Sequence, residues 1–282
     1  MQTLRDYQLE FVNDLSNIMD EVEARSIFYL LTEDLKGYSR TDFLINQSEI
    51  ISDKEGLFIS EVKSRLLLHE PIQYILGKAS FYGLTFNVNQ NVLIPRPETE
   101  ELVRWVLDDI GDVAMDIVDL CTGSGCIGVS LKYYNPNCSV ELVDVSDEAL
   151  KVANKNAHLN NVTINSTSMN LLKDGLTKSF DIIVSNPPYV MYEEKVRMRN
   201  NVIAYEPHLA LFVEDDDPLI FYRKIAEQGL SCLKINGSIY FEINEALGDE
   251  MIALMRNMGY CNIILRKDLN NKDRMLKATL RR

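Results

Sequence analysis

The chain has 282 residues, of which 46% are apolar and 25% are charged, as in an ordinary soluble globular protein. Its 42 acidic and 29 basic residues leave a formal net charge of −13. This charge disfavours direct nucleic-acid binding, which needs a basic surface, although a local basic face could be hidden in the total. No apolar run approaches the ~20 residues of a membrane span, and the polar N-terminus does not resemble a signal or transit peptide. We therefore expect a cytoplasmic protein.

The cysteines and histidines predict neither disulfides nor a metal site. The five cysteines include no C-x-x-C pair and are odd in number, which is typical of reduced, buried thiols. His69, His158 and His208 lie far apart, without the spacing of metal ligands. The length allows one sizeable core and a second, smaller domain.

Residues 1–77 are predicted to form a helical domain that recognises the substrate. Apolar side chains recur at helical spacing over residues 4–15 and 24–31, and Gly37 and Gly56 are interpreted as helix stops. The block carries 14 acidic and 7 basic residues, a net charge of −7. These charges form either a solvated face or a docking surface for a basic partner.

Residues 78–95 are predicted to form a β-hairpin that links two domains. Residues 81–88 alternate between apolar and polar, and the polar turn Asn89-Gln90-Asn91 separates them from residues 92–94. A Pro-rigid segment follows, in which Thr99 is predicted to cap the next helix.

Residues 96–282 are predicted to form an α/β catalytic domain. From residue 114 strands and helices alternate, which is typical of a Rossmann-like doubly wound, mostly parallel sheet. Strands are expected at residues 117–120, 140–143, 162–166, 181–184 and 237–243. Residues 262–265 and 275–280 are predicted to close the sheet as a hairpin with an antiparallel edge strand.

The first of these strands leads into a glycine-containing loop. Gly123 and Gly125 allow a ligand to approach the backbone, and the helix beyond them offers unpaired N–H groups. Glycines are also common at such turns without any ligand, because the tight backbone geometry alone requires them. Asp119 adds an acid, which repels a dinucleotide diphosphate but not a cationic sulfonium.

Three further residues follow the next two strands. Asp144 ends the second strand, where it can accept hydrogen bonds from both ribose hydroxyls of an adenosine or cap the following helix. Leu171 could pack on an adenine face, and Asn170 could bond the adenine amino group.

Another buried strand ends at Asn186-Pro187-Pro188-Tyr189. The β-branched run before it is typical of a parallel strand with both faces buried, and the prolines end the strand because they cannot donate ladder hydrogen bonds. Asn186 is therefore predicted to lie at the carboxyl end of the sheet, where open α/β sheets bind their ligands. Taken alone, these four residues are also compatible with a rigid turn.

The order Asp119, Gly123-Ser124-Gly125, Asp144 and Asn186-Pro187-Pro188-Tyr189 resembles the class I S-adenosylmethionine-dependent amino methyltransferases. The segments Glu70–Tyr74, Pro95–Glu100 and Tyr205–Leu211 are similar to those of the release-factor glutamine methyltransferases, the HemK/PrmC family. The resemblance covers roughly residues 67–282. The N-terminal block matches only in length and helical character.

The resemblance implies N5-methylation of the glutamine in the Gly-Gly-Gln motif of class 1 peptide chain release factors, with S-adenosylmethionine as methyl donor. Such a reaction modulates translation termination. The implied cofactor-binding residues are Asp119, Cys121, Thr122, Gly123, Ser124, Gly125, Asp144, Asn170, Leu171 and Asn186. The implied substrate-binding residues are Asn186, Pro187, Pro188 and Tyr189, of which Asn186, Pro187 and Tyr189 are the catalytic candidates. Family members usually have Gly at position 121 and commonly an aromatic residue at position 171.

The chemistry of amide methylation explains why hydrogen-bond acceptors are expected at these positions. An amide nitrogen is a poor nucleophile because its lone pair is delocalised into the carbonyl. We expect the Asn186 side-chain oxygen and the Pro187 carbonyl each to accept one N–H of the target amide, which positions the nitrogen for in-line transfer. Tyr189 is expected to pack on the amide or on its aliphatic stem.

Two alternatives stay open at this point. A nucleic-acid methyltransferase could present an adenine N6 or guanine N2 amino group to the same motif, with Tyr189 stacked on a flipped base. The net charge disfavours this reading, since Lys195–Arg199 is the one basic run soon after the motif. A catalytically silent binding scaffold is disfavoured by the intact set of motif residues. Without a sign of assembly, a monomer is expected.

Overall fold

The computed structural model describes residues 2–281, which divide into two compact units. The helical unit contains the residues up to Gly77 together with Arg199–Tyr205. The sheet unit contains Lys78–Met198 and the residues from Glu206 onward. Within the described residues, no helix combines the length and the apolar character needed to cross a membrane.

The helical unit is built from short helices that begin at polar caps. They are α1 (Leu4–Leu15), α2 (Glu21–Lys36), α3 (Arg40–Ile45), α4 (Asp53–Leu67) and α5 (Ile72–Leu76). The side chains of Thr3, Asp20, Ser39 and Ser52 each accept a backbone N–H of the first turn that follows. Gly37 ends α2 with φ at 69°, as predicted. The prediction of a stop at Gly56 is wrong, because Gly56 lies inside α4 and leaves room for the Tyr7 hydroxyl.

The core of the helical unit is aromatic. Phe28 is fully buried and meets Phe11 and Phe43 edge-on, with ring centroids 5.2 and 5.9 Å apart. Such edge-to-face pairs add to the stabilisation from burial alone. In the same unit, the Tyr205 hydroxyl donates a hydrogen bond to the Leu68 carbonyl at 2.8 Å, which ties Arg199–Tyr205 to the N-terminal helices.

The β-hairpin lies earlier in the chain than predicted. Strand β1 (Lys78–Phe81) pairs antiparallel with β2 (Leu84–Asn87) around Tyr82 and Gly83. Both turn residues have positive φ, at 49° and 75°, which matches the twist of a two-residue hairpin. The chain does turn at residues 89–91, where the Val92 N–H donates to the Asn89 carbonyl at 3.1 Å, but this turn does not join two strands. The predicted strand at 92–94 is wrong, because residues 88–96 form no strand.

The part of the chain from residue 97 onward alternates helices and strands. Its elements are α6 (Pro97–Ile110), β3 (Asp116–Leu120), α7 (Cys126–Tyr134), β4 (Ser139–Asp144), α8 (Asp147–Leu159), β5 (Asn165–Ser168), β6 (Phe180–Ser185), β7 (Val190–Met191), a 3-10 helix (Tyr192–Arg197), α9 (Asn200–Tyr205, which groups with the helical unit), α10 (His208–Leu211), β8 (Phe212–Val213), α11 (Ile220–Cys232), β9 (Leu233–Glu242), α12 (Gly248–Asn257), β10 (Cys261–Lys267) and β11 (Asp273–Thr279). Strand β5 starts later and β9 starts earlier than predicted. Thr99 lies inside the first turn of α6, so its predicted capping role is wrong.

The strand order confirms the predicted fold class. Seven strands form one sheet in the order β10-β11-β9-β6-β3-β4-β5. Strands β9, β6, β3, β4 and β5 are parallel, whereas β11 pairs antiparallel with β9, and the edge strand β10 pairs antiparallel with β11. The chain runs outward from β3 to β5 and then returns to place β6 on the other side of β3. Open α/β sheets bind their ligands at the carboxyl ends of strands beside such a reversal.

The central strands β3 and β6 are buried on both faces, as expected for parallel strands inside an α/β sheet. Ile117 of β3 and Ile182 of β6 pack into one core, and Val118 and Ile183 pack into the other. The loops that follow β3 and β6 therefore extend from strands that are held on both faces.

Gly128 lets α7 pack directly on the sheet. A Cβ at this position would collide with Leu142 Cδ2 and lie 3.1 Å from Asp119 Oδ2. We expect Gly128→Ala to lower the free energy of unfolding by about 1–2 kcal/mol, because overpacking outweighs the better helix propensity of alanine. Urea denaturation measures this change. Gly175→Ala is the control, because a methyl there meets no atom within 4 Å, and equal losses in both variants would contradict the packing argument.

Candidate active site

A cavity of about 280 Å³ lies where the loops after β3, β4, β5 and β6 converge. All of its lining residues belong to the sheet unit. The predicted site residues that line it are Cys121, Thr122, Gly123, Ser124, Asp144, Asn170, Leu171, Asn186 and Pro188. Asp119, Gly125, Pro187 and Tyr189 are not among the lining residues. The fold thus brings together predicted site residues that lie up to 67 positions apart in the sequence, from Cys121 to Pro188.

The loop after β3 depends on left-handed backbone at three positions. Cys121, Gly123 and Gly125 have φ of 58°, 54° and 80°. Gly125 precedes α7 and has no side chain to cap it, so the side-chain acceptor for the first turn comes from Asp119, whose Oδ2 accepts the Gly128 N–H. A side chain at Cys121 costs some strain in this conformation, yet the loop keeps the shape that a glycine would adopt there.

Asp119 lies behind this loop and is fully buried. Its Oδ2 accepts hydrogen bonds from Thr122 Oγ1 at 2.6 Å and from the Gly128 N–H at 2.9 Å. Its Oδ1 is buried without a hydrogen-bond partner among the described residues. Burial, with a smaller contribution from the charge of Asp144, raises the pKa of Asp119 to about 7. Asp119 thus holds the loop through Oδ2, and its Oδ1 lies beneath the loop without a hydrogen-bond partner among the described residues.

Asp144 closes the loop from the end of β4. Its Oδ2 accepts the Gly123 N–H at 2.8 Å, and its Oδ1 accepts the Ser146 N–H at 2.9 Å. The alternative that Asp144 caps α8 is wrong, because the Ser146 hydroxyl fills that role by accepting the Ala149 N–H. Each carboxylate oxygen keeps a second acceptor position for a ligand hydroxyl. Burial raises the pKa of Asp144 as well.

The loop after β5 supplies an apolar wall. Leu171 is 6% exposed, and its carbonyl accepts a hydrogen bond from Gln228 Nε2 at 3.2 Å. The Asn170 Oδ1 accepts the Leu172 N–H at 3.0 Å. Because that oxygen is engaged, the Asn170 amide NH₂ is the group better suited to a ligand, which would then offer an acceptor such as a ring nitrogen.

The loop after β6 carries Asn186. The last residue of β6, Ser185, donates from its hydroxyl to the Leu120 carbonyl of β3 at 2.6 Å. The next residue, Asn186, lines the cavity and donates from Nδ2 to Thr99 Oγ1 at 3.3 Å. Tyr189 packs against the core on one sheet face and donates from its hydroxyl to Glu242 Oε1 at 3.1 Å. Burial raises the pKa of Tyr189, so its hydroxyl stays protonated as a donor.

Sequence reasoning missed the buried partners of this loop. Thr99 donates from Oγ1 to Glu242 Oε2 at 2.5 Å, and both residues are buried. The one available signal was an acid at the end of an apolar strand. A second missed pair is Arg96 with Glu206, an ion pair of 2.5 Å that joins two segments for which the family resemblance gave no role.

Known protein families match both parts of the chain. Residues 11–77 match the PrmC N-terminal domain, and residues 100–210 match the methyltransferase small domain. The release factor glutamine methyltransferase of Flavobacterium psychrophilum is 46% identical over 283 residues, which span 99% of each chain. That of Bacteroides thetaiotaomicron is 41% identical over 94% of this chain and 95% of its own.

Solved structures share the fold at much lower identity. A methyltransferase from Pyrococcus furiosus is 18% identical, with a TM-score of 0.54 over 79% of this chain and 100% of that one. The catalytic domain of hMettl16, solved with the MAT2A 3′UTR hairpin 6, is 19% identical, with a TM-score of 0.58 over 82% and 83% of the two chains. These structures show the fold alone. The full-length relatives show more: this chain belongs to the release factor glutamine methyltransferase family.

Proposed function

We propose that this protein transfers a methyl group to the side-chain amide nitrogen (N5) of the glutamine in the Gly-Gly-Gln segment of a class 1 peptide chain release factor. The observation that carries the proposal is the placement of Asn186 on the cavity wall with its Nδ2 committed to Thr99. Its oxygen is then the group that remains to accept an N–H. The release factor enters the proposal through the relatives, which are named for it.

S-adenosylmethionine is the methyl donor of this family, and it supplies an electrophilic methyl group on a cationic sulfonium. The residues present fit such a group. Asp119 has a buried carboxylate oxygen without a partner in the described chain, and Asp144 has two spare acceptor positions on the cavity wall. We assign Asp144 to the ribose hydroxyls and Leu171 to one face of the adenine. Asp119 acts at a distance, by favouring positive charge in the cavity.

Catalysis in this proposal rests on positioning. The Asn186 oxygen and the Pro187 carbonyl each accept one N–H of the target amide, so the nitrogen is fixed with its lone pair toward the methyl group. The rings of Pro187 and Pro188 restrict φ, so the acceptors need little further ordering. Immediately after transfer the amide carries the methyl group, both of its original protons and a positive charge. In this state its N–H is strongly acidic and is lost readily, so no strong base is needed before transfer. Contact between Tyr189 and the target amide stays a prediction.

The two alternatives have less support. A nucleic-acid substrate conflicts with the net charge of −13, and the relatives that match along the whole chain are named for release factors. A silent scaffold would not need a polar residue aimed into a donor cavity. A monomeric state and a cytoplasmic location stay predictions.

Asn186→Ala should lower turnover by about 100-fold or more, because the amide loses its main acceptor. Donor affinity should stay within about threefold of the native value in calorimetry, since Asp144 and the glycine loop are intact. Mass spectrometry of a release factor incubated with enzyme and donor measures turnover as a gain of one methylene unit on the Gly-Gly-Gln peptide. A release factor with that glutamine replaced by alanine is the control substrate. Near-normal turnover in Asn186→Ala would contradict the mechanism, and methylation of tRNA or DNA instead would favour the first alternative.

Asp144→Ala should weaken donor binding by about 10- to 100-fold, the loss expected for hydrogen bonds to a charged group. Calorimetry with S-adenosylmethionine or S-adenosylhomocysteine measures the dissociation constant. The matched control is Asp147→Ala, which removes an exposed acid from the first turn of α8. Equal affinities in the two variants would remove Asp144 from the donor site.

Donor affinity should rise with pH in the range around 7. Burial raises the pKa of Asp119 to about 7, so the carboxyl is mostly protonated below that pH and ionised above it. A cationic donor binds the ionised form better, so we expect a gain of about two- to fivefold from pH 6 to pH 7.5. In Asp119→Asn this part of the pH dependence should vanish. Calorimetry at both pH values tests the assignment, and an unchanged gain in the variant would refute it.

A further inference from the structure

Behind Asn186 lies a buried chain of hydrogen bonds that the proposed mechanism does not use. Glu242, at the end of β9, is 1% exposed. Its Oε2 accepts from Thr99 Oγ1 at 2.5 Å, and its Oε1 accepts from Tyr189 Oη at 3.1 Å. Asn186 Nδ2 donates to the same Thr99 oxygen at 3.3 Å. The chain therefore joins β9, the first turn of α6 and the loop after β6.

The hydrogen bonds in this chain have a fixed direction. Both oxygens of the Glu242 carboxyl accept from hydroxyl groups, Oε2 from Thr99 and Oε1 from Tyr189, so Glu242 acts here only as an acceptor. The Thr99 hydroxyl has one proton, which goes to Glu242, so the Thr99 oxygen is left as an acceptor. An acceptor at this place binds the NH₂ of Asn186 and not its carbonyl oxygen. The Asn186 oxygen is then turned away from Thr99.

This direction bears on the reaction because the two ends of an amide have nearly the same shape. In one orientation Asn186 offers an oxygen to the NH₂ of a target amide, and in the other it offers a second NH₂. The second arrangement sets donor against donor and cannot hold the target. Packing alone does not select one of the two orientations of the Asn186 amide. The Thr99 oxygen does, because as an acceptor it binds only the NH₂ end.

We propose that Thr99 and Glu242 are positioning residues that orient the Asn186 amide so that its oxygen faces the substrate. Tyr189 completes the arrangement, because its hydroxyl holds the other oxygen of Glu242. The carboxylate thus fixes both the first and the last residue of Asn186-Pro187-Pro188-Tyr189. This inference rests on the proposed function for its catalytic consequence, but the orientation of Asn186 can be measured without any substrate.

The cost of burying Glu242 supports a role beyond packing. A carboxylate in the core is unfavourable unless it is well paired, and an apolar side chain would fill such a space more favourably. The nearby cation, Arg274, makes its hydrogen bonds to Asp268 and Glu245. Glu242 is therefore held mainly by two hydroxyl donors, which is the arrangement that a directional acceptor requires.

Thr99→Val is the decisive variant, because it keeps the side-chain shape and removes the hydroxyl. We expect kcat to fall by about 10- to 100-fold, as misplacing a binding group does, with donor affinity within about threefold of native. Thr99→Ser restores the hydroxyl and should recover at least about a third of native kcat. The matched control is Thr167→Val, which removes an equivalent Thr–Glu hydrogen bond, from Thr167 to Glu141, on the exposed edge strand β5. Native kcat in Thr99→Val, or no recovery in Thr99→Ser, would overturn the proposal.

Two further measurements separate orientation from general damage. In an Asn186→Ala background, Thr99→Val should lower single-turnover rates by less than about twofold. The reason is that Thr99 acts by orienting the Asn186 amide, which is absent from this background. An independent, additive loss would overturn the proposal. Nitrogen-15 NMR of the substrate-free protein should show a hydrogen-bonded Asn186 side-chain NH₂ in the native and Thr99→Ser proteins, which is lost in Thr99→Val. If release factors were not methylated at all, this NMR result would still test the orientation, and an unchanged Asn186 signal in Thr99→Val would refute it.

Discussion

The parallel pairing of β3 with β6 is the constraint on which the site depends. Residues 117–120 of β3 align with 182–185 of β6 over their whole shared length, and each strand is buried on both faces. The loops that follow therefore begin at the same edge of the sheet and at the same level. One loop carries the glycines and the other carries Asn186. A shift of one residue in this register would turn buried side chains to the opposite face, so the relative position of donor and acceptor sites is fixed by the same contacts that stabilise the core.

The electrostatic character of the site follows from where its acids lie. Asp144 lines the cavity, whereas Asp119 lies behind the loop after β3 and Glu242 lies behind Thr99. Burial raises the pKa of each of these three carboxyl groups. None of the three has an ion pair with a basic side chain among the described residues, and each is held by hydroxyl or backbone donors instead. A cavity of this kind favours a cationic ligand and disfavours a phosphate-bearing one. Acidic groups therefore dominate at the cavity as they do in the whole chain, and in both cases they disfavour the binding of nucleic acid.

Much of the fold was readable from the sequence because buried parallel strands leave a simple signal. The run before Asn186 is β-branched and ends at two prolines, which cannot continue a strand, and the apolar run before Gly123 leads into a glycine-containing turn. The roles of residues that are set by contacts between distant parts of the chain could not be predicted from the sequence. Thr99 has the composition of a helix cap, yet its hydroxyl is turned to Glu242, which lies 143 residues away. Tyr82-Gly83 was missed as a hairpin turn because Tyr rarely adopts positive φ, whereas the polar residues 89–91 carry the usual turn composition.

The grouping of Arg199–Tyr205 with the N-terminal helices has a consequence for how this family can diversify. The boundary between the two units is crossed three times by the chain, after Gly77, after Met198 and after Tyr205. A recombination event that exchanged only the first 77 residues would pair a foreign set of helices with a native α9. The Tyr205 hydroxyl would then have to find a new carbonyl in place of Leu68. The helical unit is therefore encoded by two separated pieces of sequence, and an exchange of this unit between relatives must carry both.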